Sequence, residues 1–150
     1  ADLQRAATEL GRFVAALPAR HPALERAAPL RLDDLAGEDL IVYPKAPRPS
    51  YADQVLSLFR ERGLKPASVH EVRELQTALG LVAAEAGVCV VPASVERLRR
   101  DNVAYRPLDG EGAVSPIIMS CRKDDRSPEI ARLLELVQAV YRREGVEFGA

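Results

Sequence analysis

Apolar positions along this chain recur with two periods that take turns. Leu75, Ala78, Leu79, Val82 and Ala83 fall on one face at helical spacing, with Gly87 placed as the C-terminal stop. Val88-Cys-Val-Val-Pro92 follows as a fully apolar strand, Ala93-Ser-Val-Glu-Arg-Leu98 as a short helix, and Val103-Ala-Tyr-Arg-Pro-Leu108 as another strand. Upstream, Leu40, Ile41 and Val42 make a short apolar strand that breaks into Tyr43-Pro-Lys-Ala-Pro-Arg-Pro-Ser50-Tyr51. Pro44, Pro47 and Pro49 forbid both a continued ladder and an early helix there. Ser50 stands at an N-cap with Asp53 at capping-box spacing, which predicts a helix running through Gln54, Val55, Leu58 and Phe59 towards Gly63. Strands and helices alternating through short loops predict an α/β domain with a mostly parallel sheet.

The chain ends read differently. Leu3, Ala6, Ala7 and Leu10 lie at helical spacing and predict a short helix over Ala1–Leu10. Arg12-Phe-Val-Ala-Ala-Leu-Pro18 is a strand closed by proline, and Ala19-Arg-His-Pro22 a turn in which His21 has a structural or exposed place. Leu24 to Gly37 is irregular, with Arg31–Gly37 able to form one helical turn. Ser68–Val72 alternates as a short strand carrying His70, and Asp109-Gly-Glu-Gly112 is a glycine-containing break suited to a hinge. Pro116–Arg122 is a strand. Ser127-Pro128-Glu129 then opens a helix whose stripe is Ile130, Leu133, Leu134, Val137 and Tyr141, with no covering partner nearby in sequence.

Composition narrows the functional classes. The chain has 150 residues, 47% of them hydrophobic, and a formal net charge of −1 with acids and bases interspersed. That balance lacks the electrostatic footprint of a nucleic-acid or anionic-membrane binder. No apolar run reaches membrane-spanning length, and the start lacks the pattern of a signal peptide, so a cytoplasmic setting is expected. Cys89 and Cys121 sit in apolar strands and read as core residues. Phosphate-cradling glycine loops, paired zinc-ligand spacings and nucleophile elbows are absent, so no metal, cofactor or catalytic residue is assigned and the chain is not expected to be an enzyme.

The candidate chemistry lies at Ser50. A helix start offers free N–H groups and the positive end of the macrodipole, suited to a carboxylate or phosphate, and Arg48 and Lys45 add charge nearby. Tyr51, at the first helical position, either closes over a ligand or packs on the loop prolines. Glu71 and Glu74 flank Arg73, as an acid pair or as solvated charges.

Several segments carry a resemblance. Ala19-Arg-His-Pro22-Ala-Leu, Leu32-Asp-Asp-Leu-Ala-Gly37, Tyr43-Pro44 and Leu79-Gly-Leu-Val-Ala-Ala-Glu-Ala-Gly87-Val-Cys-Val-Val-Pro92-Ala-Ser94 resemble the effector-binding domain of LysR-type transcriptional regulators. Tyr43-Pro-x-x-Pro-Arg-Pro-Ser-Tyr51, Gly63-Leu-Lys-Pro66, Glu71-Val-Arg-Glu74 and Tyr141-Arg-Arg-Glu-Gly145 are similar to the branch controlling catechol, benzoate and chlorocatechol degradation, which responds to muconate-type dicarboxylates.

The resemblance implies a two-lobed α/β fold like the type II periplasmic binding proteins, with the effector between the lobes. Residues 1–18 and 113–150 would belong to a partly present first lobe, and 19–112 would form a complete second lobe. Under this family pattern a loop precedes the first strand, which conflicts with the helix predicted over Ala1–Leu10. Pro49, Ser50 and Tyr51 match the effector site, and Ile117 an apolar wall; phenylalanine is the family's usual residue at the Tyr51 position. Arg12, Glu74 and Tyr141 match a second, smaller pocket, with an Arg12–Glu74 bridge that is either part of it or purely structural. The implied partners are a small carboxylate effector, further copies of the chain in a dimer or tetramer, and DNA only through a winged helix-turn-helix that is not in this sequence. Competing readings are a transport-type binding protein, a hydrolase or isomerase using Cys89 or His70, and a dimerisation module without ligand.

Overall fold

The computed structural model describes residues 3–109, 114–122 and 124–143, with side chains over 12–109, 121–122 and 124–143. Two compact units emerge. The larger is Arg12–Ser115, and the smaller joins the start of the chain, through Gly11, to the segment from Pro116 onward. The glycine-rich break at Gly110–Gly112, read as a hinge, lies outside the described residues.

The larger unit is built on strands β1 (Leu3–Pro18, of which Arg12–Pro18 belongs here), β2 (Leu30–Arg31), β3 (Asp39–Val42), β4 (Ser68–Glu71), β5 (Val88–Pro92) and β6 (Val103–Asp109). Their order is β2-β6-β1-β5-β3-β4. Helix α1 (Tyr51–Glu61) follows β3, and α2 (Leu75–Ala83) follows β4. Apolar side chains of both helices are buried, so the sheet has two cores. Phe13, Ala15, Leu17, Leu40, Val42 and Val90 share one with Ala52, Val55 and Phe59 of α1. Val14, Ala16, Ile41, Cys89 and Val91 share the other with Ala78, Leu79 and Val82 of α2. Each fully buried leucine, valine or phenylalanine contributes about 1.5–3 kcal/mol by leaving water. That burial is what sets the helices on the sheet.

Several expectations are corrected. The helix that spacing predicts over Ala1–Leu10, and the loop that the resemblance puts in its place, are both corrected: from Leu3 onward the segment is strand, and β1 runs unbroken to Pro18. The sheet is mixed: β3 is parallel to β4 and β5, and β2 to β6, whereas β1 runs antiparallel to both β5 and β6. No helical crossover joins β1 to either neighbour, so the rule that makes βαβ units parallel does not bind it. Gly87 is not the stop of α2. Glu85 takes the left-handed position at φ 61°, and the N–H groups of Ala86 and Glu85 bond Leu81 O and Val82 O at 3.0 Å each, a Schellman closure. The short helix after β5 is a single 3-10 stretch, Ala93–Arg97, and Leu32–Leu35 is another.

In the smaller unit, β7 (Val114–Arg122) pairs with β1, and α3 (Pro128–Arg143) begins at the expected proline. None of the residues of α3 is buried, and Leu133, Leu136 and Val140 are exposed. Among the described residues no helix is long and apolar enough to cross a membrane.

Candidate functional site

At the end of β3 the backbone leaves the sheet at Tyr43 and returns as α1 at Tyr51, and this arch is tied at several points. Lys45 N–H donates to Val72 O at 2.8 Å, and the Ser50 hydroxyl donates to Pro44 O at 3.0 Å. The expected capping box is formed: Ser50 has extended backbone, and the Asp53 carboxylate accepts its N–H at 2.6 Å. That N–H, with the Arg48 guanidinium second, holds the Asp53 carboxyl below its ordinary value.

A helix leaves its first N–H groups without intrahelical acceptors. In α1 the third and fourth are taken, Asp53 N–H and Gln54 N–H reaching Ser50 O at 3.0 and 3.4 Å. The N–H groups of Tyr51 and Ala52 have no partner among the described residues. They sit where the macrodipole favours an anion, and Ala52 is fully buried.

Beside them is an aromatic wall. The Tyr51 ring lies 5.6 Å from Phe13 and 5.4 Å from Tyr43, both tilted, and its hydroxyl donates to Val90 O at 3.3 Å. The hydroxyl thus points to the β5 backbone rather than to water, and the ring packs on the core rather than on the loop prolines alone. Burial pushes both the Tyr51 and Tyr43 phenols well above their ordinary values, so both stay neutral. Together these groups can hold a flat apolar body against Tyr51 and a negative charge at the helix start.

The charge expected from Arg48 is already balanced. Its Nη1 donates to Asp53 Oδ1 at 2.5 Å, its Nη2 to Glu71 Oε1 at 2.6 Å and its Nε to Lys45 O at 3.2 Å. Glu71 therefore pairs with Arg48 and is not an acid dyad with Glu74. Nothing local in sequence marks this pair, whose members are 23 residues apart. Phe13, Tyr43 and Val90 also meet Tyr51 here; in sequence Tyr43 shows only as part of the loop, and Phe13 and Val90 only as strand residues.

The remaining candidates separate. Arg12 and Glu74 are both exposed, and the ion pairs among the described residues do not include one between them. Tyr141 is on α3 in the smaller unit, and the side chain of Ile117, on β7, lies outside the described residues. His21 is structural: its Nδ1 accepts Ala23 N–H at 3.2 Å and its Nε2 lies 3.2 Å from Glu38. His70 is exposed, and its ring Nε2 lies 3.0 Å from the Ser68 hydroxyl. Cys89 is buried, and burial pushes its thiol up to about 12, the state of an inert thiol. Among the described residues no group of His, Cys, Asp and Glu could hold a metal.

Residues 8–142 match the family described as the LysR substrate binding domain. The sequence is 51% identical over 130 residues to a probable cat1 operon transcriptional activator of Acinetobacter lwoffii, covering 87% of this chain and 43% of that protein. It is 51% identical over 125 residues to the regulator CatR of Pseudomonas putida, covering 83% of this chain and 43% of that protein. The chain thus spans less than half the length of these curated relatives. The BenM effector-binding domain with its effector benzoate superposes with a TM-score of 0.88 at 35% identity, covering 97% of this chain and 67% of that one.

Proposed function

The chain belongs to the LysR substrate-binding domain family and has the type II periplasmic-binding-protein-like α/β fold of its effector domains, and from that footing we propose that it is the effector-sensing part of a transcriptional regulator of aromatic-compound catabolism. The effector is a small conjugated carboxylate of the muconate or benzoate kind, held with its carboxylate on the N–H groups of Tyr51 and Ala52 and its flat body against the ring of Tyr51. The pair of unpartnered N–H groups beside an aromatic wall carries the reading. The benzoate named with the BenM domain supplies the ligand class. Two charge-assisted bonds of this type contribute about 1.5–3 kcal/mol each, about 3–6 kcal/mol together, so they fix the carboxylate while burial of the flat body against Tyr51 has to supply the rest of the affinity. In the whole regulator, binding biases the arrangement of the lobes and of neighbouring copies, and through them the DNA-binding segments.

The test is amide NMR of the chain titrated with benzoate, cis,cis-muconate and sodium chloride. Saturable shifts of the Tyr51 and Ala52 resonances with a carboxylate, and none with chloride, are expected. Saturable binding that leaves both resonances unmoved would place the effector elsewhere and overturn the assignment.

A further inference from the structure

We propose, on the reading of the α1 start given above, that Arg48 is a positioning residue of the effector site: it braces the N-terminus of α1 against the sheet and does not itself receive the carboxylate. Its guanidinium lies between two acids from different elements, Asp53 in the first turn of α1 and Glu71 at the end of β4, at 2.5 and 2.6 Å. One cation between two anions leaves a local charge of −1, so a third carboxylate has no unbalanced charge to meet and would have to displace a partner. The third donor direction, Nε, is held by Lys45 O within the arch.

The bracing is a chain of contacts with one fixed end. Glu71 pairs with Val42 in the parallel β3–β4 ladder, and Val72 N–H bonds Val42 O at 2.9 Å, so that end is rooted in the sheet. Arg48 carries the constraint from Glu71 to Asp53. Asp53 holds the Ser50 N–H, and Ser50 is the residue whose backbone sets the direction of the Tyr51 and Ala52 N–H groups. A planar fork reaches two carboxylates in fixed geometry, which an ammonium cannot. All three side chains keep about a third or more of their exposure, 34% for Arg48, 43% for Asp53 and 35% for Glu71. Exposed pairs of this kind contribute little net stability, so the network acts on geometry.

A ligand role and a positioning role differ in sign. Were Arg48 to receive the effector, Glu71→Gln would release one arm of the guanidinium and tighten binding. As a brace, Arg48 needs Glu71, and Glu71→Gln weakens binding. Calorimetric titration of the chain with benzoate is therefore run on the wild type, Arg48→Gln, Glu71→Gln and the double variant, with the ligand-free Ser50 amide proton followed by NMR. Each single variant is expected to weaken benzoate binding about tenfold. The double variant should be no weaker than either single one, and thermal midpoints should stay within about 3 °C of the wild type. The Ser50 amide proton, deshielded by its short bond to Asp53, should move upfield in both single variants. Glu71→Gln binding benzoate as tightly as the wild type, or more tightly, overturns the proposal. If the wild type takes up no benzoate, benzoate is ruled out as the effector and the Ser50 resonance decides the bracing: shifted in Glu71→Gln it supports the brace, unmoved it overturns it.

Discussion

Two glycines close to α2 should respond to the same substitution with opposite signs. Gly87 has a φ of +156°, where L side chains rarely go, and a Cβ built there would lie 2.4 Å from Asp39 O and 3.1 Å from Asp39 C. That backbone cannot retreat, because Asp39 opens β3, which is laddered to β4 on one side and β5 on the other. Backbone strain of about 1–3 kcal/mol and overpacking of about 1–3 kcal/mol then add, so Gly87→Ala should cost about 4 kcal/mol. Gly80 lies inside α2, and its Cβ would meet only the tip of the exposed Arg100 side chain, Nη2 at 3.3 Å. The arginine can move aside, and replacing a mid-helix glycine gains about 0.5–1 kcal/mol. Urea unfolding followed by circular dichroism reads both. With a slope of about 2 kcal/mol per molar, the Gly87→Ala midpoint should fall by about 2 M and that of Gly80→Ala rise by a few tenths. A Gly87→Ala loss below about 1 kcal/mol, or Gly80→Ala as the more damaging of the two, would refute the close approach to Asp39.

Other outcomes follow from single contacts. Glu85→Gly should raise stability by about 0.5–1 kcal/mol in the same assay, since the left-handed closure of α2 suits glycine; a loss would mean that the Glu85 side chain matters more than its backbone. Cys89, in a background with Cys121→Ser, should resist iodoacetamide in the folded protein and react only as fast as the chain opens, and immediate labelling would contradict its burial. The Asp53 carboxyl is held low in the folded state, by the Ser50 N–H first and Arg48 second, so its contribution is present above the ordinary carboxylate range and fades as pH falls through the folded value. Asp53→Asn should accordingly flatten the acid side of the stability–pH curve, and an unchanged curve would count against the capping contact.

Legibility in the sequence followed the range of the interactions. The α2 stripe, the apolar β5 and the capping box at Ser50 depend on residues a few positions apart, and they lie where spacing puts them. The start of the chain misleads because Leu3, Ala6, Ala7 and Leu10 are small or aliphatic residues that suit either period, and pairing between β1 and β7 decides for strand. A glycine after a helix usually serves as its stop, which is what Gly87 suggests in sequence; its reason for being glycine is Asp39, which only the folded sheet brings near. At the site, the open helix start and the aromatic residue at its first position could be read from local chemistry. The bond from the Tyr51 hydroxyl to Val90, the Phe13 contact and the Arg48–Glu71 pair could not, because each joins elements that meet only through the sheet.

The position of β1 has a consequence for folding fidelity. A half-buried strand keeps its register through polarity, since sliding by one residue turns its apolar side chains to water. Between Phe13 and Leu17 that safeguard is missing: Phe13, Ala15 and Leu17 enter one core, Val14 and Ala16 the other, and none is more than 3% exposed. A slip by one residue would leave the side chains inside this stretch in apolar settings. Apart from Arg12 at its edge, which is exposed, the mistake would be registered as volume, with phenylalanine and leucine pressed into places shaped for valine and alanine. In this strand the order of sizes is the message, and any redesign that evened out those sizes would preserve its hydrophobicity while erasing its alignment.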